Sequence, residues 1–220
     1  MLTDMWWKIG FNRPLRSFKN VHRDEAMIVC GCGQSAAVFD RPVGVRTIGV
    51  NDFGRKFDPD YLLVIDAPDK FPPDRYRYIV NSGARYIFSD QSYRPQRSKL
   101  VRFQIRRSTE PNLDDPDALY YIDQPVTSPF MAVCLAAHMG ASWIGMIGVD
   151  FSDHRFFDQS GPHILVQYLD GIDRRFQLLN DSLRRRGVAL YNLSLESRLR
   201  SVPKLPLEEF LRISRVELAS

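Results

Sequence analysis

Three groups of residues have types and spacing that could do chemistry. The first is Gly31-Cys32-Gly33-Gln34-Ser35, directly after a short apolar run. Glycines there let the backbone approach a phosphate, and a helix starting at that point would add unsatisfied N–H groups. Read as G-x-G-x-x-G from Gly31, the run has Ala36 in the third glycine place. The acidic residue that accompanies such a fingerprint about 20 positions on falls near Asn51 and Asp52. A tight strand-to-helix turn with no ligand would use the same residues. The second group is Thr127-Ser128, whose hydroxyls can cap a helix or hold an anion at its N-terminus. The third is Gly148-Val149-Asp150-Phe151, followed by Asp153, His154, Asp158 and His163. A carboxylate and two imidazoles at a strand edge suit an acid/base pair or a metal site. The histidine spacing matches no zinc pattern, and Cys30 and Cys32 match neither a metal knuckle nor a redox pair.

The elements that would position these groups follow from the hydrophobic pattern. Residues 26–30 (AMIVC), 46–50 (RTIGV), 61–65 (YLLVI), 143–149 (WIGMIGV) and 188–193 (VALYNL) read as buried strands, with a weaker one at 85–88. Several end in a polar residue, and open parallel sheets place ligands beyond such strand ends. Helices are clearest at 130–139 and 167–186. In the second, Tyr168, Ile172, Phe176, Leu179 and Leu183 form one apolar stripe. Arg184–Arg186 then lie at its C-terminal end, a favourable place for cations. The alternation predicts an α/β, doubly wound, mostly parallel, Rossmann-like sheet over residues 25–200. Residues 1–24 read as an N-terminal arm mixing aromatic and basic residues, and 201–220 as a C-terminal helical tail. Residues 90–124 break the rhythm and are expected to be a mid-chain insertion or lid. Within it, Arg94, Arg97, Lys99, Arg102, Arg106 and Arg107 interleave with Tyr93 and Phe103, as a nucleic-acid contact at 93–107 would require. Asp114, Asp115 and Asp117 interrupt that basic tract, so a lid pairing with itself fits as well.

Composition sets the outer bounds. The 220 residues are 44% hydrophobic and 25% charged, and 30 Lys and Arg against 26 Asp and Glu give a formal charge of +4. That is an ordinary globular balance, which excludes collagen-like, coiled-coil and wholly disordered chains. The small positive excess permits an anionic substrate without demanding nucleic acid. Three cysteines argue against a disulfide scaffold and for a reducing compartment. No secretory signal is evident at the start, so a cytoplasmic location is expected. Residues 126–149 contain no Asp, Glu, Lys or Arg, but Pro129, His138, Gly140 and Ser142 break them. They read as a buried helix, a stop at Gly140 and a buried strand rather than a membrane span.

The order GCGQS, GVND, VIDAP and TSPFMAVCLAAHMGASWIGMIGVDFSD resembles that of the bacterial sialyltransferases of glycosyltransferase family 42. It also resembles the related domain of unknown function 115, which includes pterin pyrophosphokinases. The resemblance covers roughly residues 26–70 and 124–195. It implies a transferase that takes a sugar from a nucleotide-activated donor to a hydroxyl acceptor. Gly31, Gly33, Gln34, Ser35, Asn51, Asp66, Thr127, Ser128 and Asp150 would bind the donor. The family's base is a histidine, Tyr168 occupies that register, and His163 or His154 could serve instead. The chain departs from the family pattern at Cys32, Gln34, Pro129 and Ser152. The glycosyltransferase reading does not imply a metal. The second family implies Mg²⁺ held by Asp66 and Asp69 with Asp52 or Asp150. The acceptor is open between a glycan and a nucleic acid, and a homo-oligomer is compatible with the sequence.

Overall fold

The computed structural model describes residues 14–152 and 164–217. Seven strands form one all-parallel sheet: β1 (Ala26–Cys30), β2 (Arg46–Val50), β3 (Tyr61–Leu63), β4 (Tyr86–Ser89), β5 (Lys99–Arg102), β8 (Trp143–Ile147) and β9 (Ala189–Asn192). Their order is β5-β4-β3-β2-β1-β8-β9. The chain therefore builds outward from β1 in one direction, then returns to β1's other side with β8. A crevice opens beyond the strand ends where the order reverses, here between β1 and β8. Cys30 pairs with Ile147 and Ala26 with Trp143, so the two strands end level. All five residues of β1 are buried, which explains its unbroken apolar run.

The helix α2 (Ser128–His138) lies against β1, β2, β3 and β8. A second, two-stranded parallel sheet, β6 (Gln104–Arg107) with β7 (Ala118–Tyr121), covers it. That double cover lets α2 be apolar on every face. The charge-free stretch 126–149 is thus a buried helix, a turn and a buried strand. No helix among the described residues is long and apolar enough to cross a membrane. The helix α3 (Leu169–Arg185) buries Ile172, Phe176, Leu179 and Leu183 as its stripe. Tyr168 is 49% exposed, because it precedes the first helical turn and falls off that stripe. Two further helices, α1 (Pro73–Val80) and α4 (Leu207–Glu217), complete the layers.

Residues 90–124 carry regular structure. They supply β5, the edge of the main sheet, and both strands of the small one. Burial and pairing count against a nucleic-acid contact at 93–107, although Arg94 and Lys99 stay exposed. Tyr93 and Phe103 are buried, so neither offers a face for base stacking. Arg106 pairs with Asp115 at 3.4 Å, Arg107 pairs with Asp123, and Arg97 lies 3.9 Å from Asp58.

The described part of the N-terminal arm is fastened into the core. Leu15 and Phe18 are buried, and Phe18 meets Tyr86 and Phe88 edge-on with centroids 4.9 Å away. The N–H groups of Asn20, His22 and Asp24 donate to the carbonyls of His138, Met139 and Gly140 at 3.0, 2.7 and 3.0 Å. The last carbonyls of α2 are thereby satisfied. Gly140 has φ +93°, and a Cβ there would stand 2.9 Å from the Arg23 Cα, so the arm's approach demands glycine. His138 is 3% exposed, and its Nε2 sits 3.1 Å from the Leu15 carbonyl.

Burial lowers the His138 pKa below that of an ordinary imidazole. The unfolded chain then binds the extra proton first. Its contribution to stability is complete above about pH 6.5 and is lost as pH falls below that. Urea denaturation across this range is expected to show stability falling with acidification, with a shallower slope in His138→Gln.

Candidate active-site cleft

The glycine loop after β1 packs against the end of β8. A Cβ on Gly31 would stand 2.3 Å from the Gly148 carbonyl oxygen. One on Gly33 would stand 2.5 Å from an Asp150 carboxylate oxygen. Gly148 itself has φ +71°, a conformation other residues adopt at a cost. The loop's alternate N–H groups are spent inside the protein. Gly31 donates to the Ile147 carbonyl at 2.7 Å, Gly33 to the Gly148 carbonyl at 2.8 Å, and Ser35 to Asp150 Oδ2 at 2.7 Å. Residues 34–38 form a 3₁₀ turn instead of the expected α-helix, and Pro42 and Gly44 follow too closely for a longer one. The glycines here serve contact between two strand ends.

Ser35 is the hub of that contact. Its hydroxyl donates to Asp150 Oδ1 at 2.5 Å and accepts from the Gly148 N–H at 2.9 Å. The Ser194 hydroxyl lies 2.7 Å away and, with Ser35's proton already placed, acts as donor. One donor and two acceptor sites are thus filled, which is all a hydroxyl has. From the other side, Ser197 donates to the Val149 carbonyl at 2.7 Å, and the Arg198 N–H donates to the Asp150 carbonyl at 2.9 Å.

Beyond these strand ends lies a cleft of about 560 Å³, within the range of small-molecule sites. Cys32, Gly33, Val50 and Asn51 form its floor, with 148–152 beside them. Residues 125–129, at the N-terminus of α2, make one wall. Asp66, Lys70, Phe71 and Arg75 make the other, and Leu165 closes an end. Of the expected binding residues, Gly33, Asn51, Asp66, Thr127, Ser128 and Asp150 line the cleft. Gly31, Gln34 and Ser35 are placed behind its floor or outside it, and Tyr168 is outside it. His154 and His163 lie outside the described residues.

The α2 wall is chemically open. Ser128 donates to Asn51 Oδ1 at 3.1 Å, which fixes the asparagine amide. Asn51 holds φ +54° at the end of β2, a left-handed conformation that Asn tolerates better than most residues. Thr127 is the N-cap but makes no side-chain capping bond, and its buried Oγ1 has no hydrogen-bond partner among the described residues. Pro129 has no N–H to offer. The first-turn N–H groups of Ser128 and Phe130 have no intrahelical acceptor. An unspent hydroxyl at the positive end of a helix suits an anion.

The opposite wall is built around Arg75, which no motif in the sequence marks. It donates Nε to Asp52 Oδ2 at 2.8 Å and Nη2 to Asp52 Oδ1 at 2.5 Å, and its guanidinium lies 5.5 Å from the Phe71 ring centre. Asp52 is fully buried, so the pair locks α1 to the end of β2. The Asp66 carboxyl is raised by partial burial, with Arg75 opposing. Its carbonyl accepts from the Tyr93 hydroxyl at 2.6 Å. The Mg²⁺ arrangement does not fit these residues. Asp52 is taken by Arg75, both Asp150 oxygens by Ser35, and no three metal-ligating side chains converge among the described residues.

The sequence matches no protein-family model, and no curated protein matches it significantly. Solved structures are similar to the chain. The sialyltransferase CstII from Campylobacter jejuni, in complex with the substrate analogue cytidine-5'-monophosphate, is 14% identical with a TM-score of 0.50. That match covers 83% of this chain and 85% of the other. A complex of sialyltransferase CST-II with a trisaccharide acceptor and CMP gives 16% identity, coverage of 82% and 86%, and a TM-score of 0.49. The MAf glycosyltransferase from Magnetospirillum magneticum AMB-1 gives 11% identity, coverage of 96% and 42%, and a TM-score of 0.48. At such identities the likeness is one of fold.

The Ser35–Asp150 contact should register in stability. Ser35→Ala leaves the Gly148 N–H, the Ser194 hydroxyl and Asp150 Oδ1 without their partner, while the backbone bond to Asp150 Oδ2 stays, and is expected to cost about 1–3 kcal/mol. Asp150→Asn should cost a similar amount, and the double variant less than the sum, since the two groups share one network. Urea denaturation of the three variants measures this. Full additivity would show the pair to be energetically idle.

Proposed function

We propose that the chain is a glycosyltransferase that uses a nucleotide-activated sugar, with the donor phosphate at the N-terminus of α2. The observation that carries this reading is the buried, unpartnered Thr127 hydroxyl beside the free first-turn N–H groups, on the wall of a 560 Å³ cleft. Buried polar atoms without a partner are uncommon in native proteins, and of those among the described residues Thr127 Oγ1 is the one on the lining of this cleft. The fold shared with CstII, a sialyltransferase solved with cytidine-5'-monophosphate, supports the same reading, although fold alone does not carry an activity.

In this reading the acceptor hydroxyl loses its proton to a base and attacks the sugar's anomeric carbon. The bond from that carbon to the phosphate oxygen breaks, and the electron pair leaves on the phosphate. Thr127, the Ser128 and Phe130 N–H groups and the α2 dipole stabilise that charge as it grows. Asn51, held by Ser128, orients the donor. The base is His154 or His163, between Ser152 and Leu165 in the chain, two residues that line the cleft. A cytidine nucleotide is the first donor class to test, and the acceptor is a hydroxyl compound such as a glycan.

Thr127→Val separates binding from folding. The valine is nearly isosteric, and the lost hydroxyl bonds nothing among the described residues. Stability without ligand is therefore expected to hold or rise. Affinity for CMP should fall about tenfold or more, the equivalent of one hydrogen bond to a charged group. Calorimetric titration of CMP into the wild type, Thr127→Val and Asn51→Ala, with and without Mg²⁺, measures this. Unchanged affinity in Thr127→Val overturns the placement. Binding of ATP alone, and only with Mg²⁺, overturns the glycosyltransferase reading.

A further inference from the structure

We propose that Arg175 is a second anion-binding residue at the head of α2, where its guanidinium and the Thr127 hydroxyl together take one oxygen of the ligand phosphate. This rests on the reading of that helix end as the phosphate site. Thr127 is 6% exposed, and its Oγ1 has no hydrogen-bond partner among the described residues. Arg175 Nη2 is likewise buried without one. Both side chains line one small cavity, walled by Phe130 of α2 and by Ile172 and Phe176 of α3. Its volume is about 10 Å³, room for a single oxygen of water size.

The α3 stripe explains why an arginine stands there. Ile172 and Phe176 face inward, and Phe176 meets Phe130 edge-on with ring centres 5.5 Å apart. Arg175 is three residues beyond the first and next to the second, so it lies at the border of the stripe, against the start of α2. Its Nη1 donates to the Gln124 carbonyl at 3.1 Å, which steadies the guanidinium and leaves Nη2 unspent. The carboxylate that shares the cavity, Asp123, pairs with Arg107. Burial pulls the Arg175 pKa below its usual value, with Asp123 opposing, yet a guanidinium keeps its proton in proteins. A cation among apolar side chains is costly until an anion completes it. The concavity that Lys19, Arg23 and Gly187 border, before β1 begins, differs in this respect. Its Arg186 is paired with Asp114, and Lys19 donates to the Asp114 carbonyl.

The charge has a use in the transfer. While the sugar is attached, the phosphate of a nucleoside monophosphate donor carries one negative charge. When the bond from the anomeric carbon breaks, its electron pair goes to the phosphate oxygen and the charge becomes two. A fixed cation between apolar walls favours the second state over the first. Arg175 therefore holds the departing nucleotide more strongly than the intact donor.

Calorimetric titrations at about pH 8 test this with three probes. CMP then carries two charges, its methyl phosphoester one, and cytidine none. Arg175→Met keeps the packing of the stem and gives up one protein hydrogen bond, so it is expected to fold. Arg175→Lys keeps the charge. CMP affinity should fall about tenfold or more in Arg175→Met, methyl ester affinity less, and cytidine affinity not at all. Arg175→Lys should recover part of the loss. An equal loss for all three probes, or unchanged CMP affinity in both variants, overturns the proposal. Inorganic phosphate separates this inference from the glycosyltransferase reading. If CMP does not bind but phosphate raises the melting temperature of the wild type, and not of Arg175→Met, the anion site stands without the nucleotide. No response to CMP or to phosphate overturns both.

Discussion

The carboxylate of Asp150, gripped by the N–H and the hydroxyl of Ser35, is the contact on which this architecture turns. It joins the end of β1 to the end of β8, two strands adjacent in the sheet but more than a hundred residues apart in the chain. Backbone must meet backbone for that contact to form, and this is why Gly31, Gly33 and Gly148 cluster there. Ser194 and Ser197, just beyond β9, complete the clamp from the far side. The sheet reverses its order at the same point. The clamp and the crevice are therefore two results of one constraint.

With the glycine loop committed to that joint, the anion-binding chemistry falls to a different element. The helix α2 is buried on all sides, so its direction is set by packing alone. Its N-terminus ends at the cleft wall, where Thr127 carries a hydroxyl that no group among the described residues uses. The opposite wall is fixed by the buried pair of Asp52 and Arg75. A charge as deep as Asp52 persists only with such a partner. Two rigid walls thus face each other across a floor that the β1–β8 clamp holds in place.

The strands were readable from the sequence because a parallel sheet covered on both faces needs apolar runs, and AMIVC and WIGMI are such runs. The α/β class followed from their alternation with helices. Asn51, Thr127 and Ser128 were also visible, since they stand at element ends where side chains reach a crevice. The role of the glycines was not. Close approach to a phosphate and close approach to another backbone both require glycine, and only the position of Gly148 separates the two. Arg75 was hidden because α1, the helix that carries it, has a weak apolar pattern of Tyr76, Ile79 and Val80. The strands at 99–121 were hidden because their residues are half-exposed and charged, as in KLVR and QIRR. Ser194 could have been found by extending the strand-end rule one residue beyond the last strand.

The account stands on where a nucleotide phosphate settles, and amide NMR locates that without knowing the sugar or the acceptor. An ¹⁵N-labelled sample titrated with CMP should show its largest shift changes at Asn51, Thr127, Ser128 and Phe130, with smaller ones at Gly33 and Phe151. Shift changes centred on the Lys19, Arg23 and Gly187 concavity, or none at saturating CMP, would contradict a phosphate site at the head of α2.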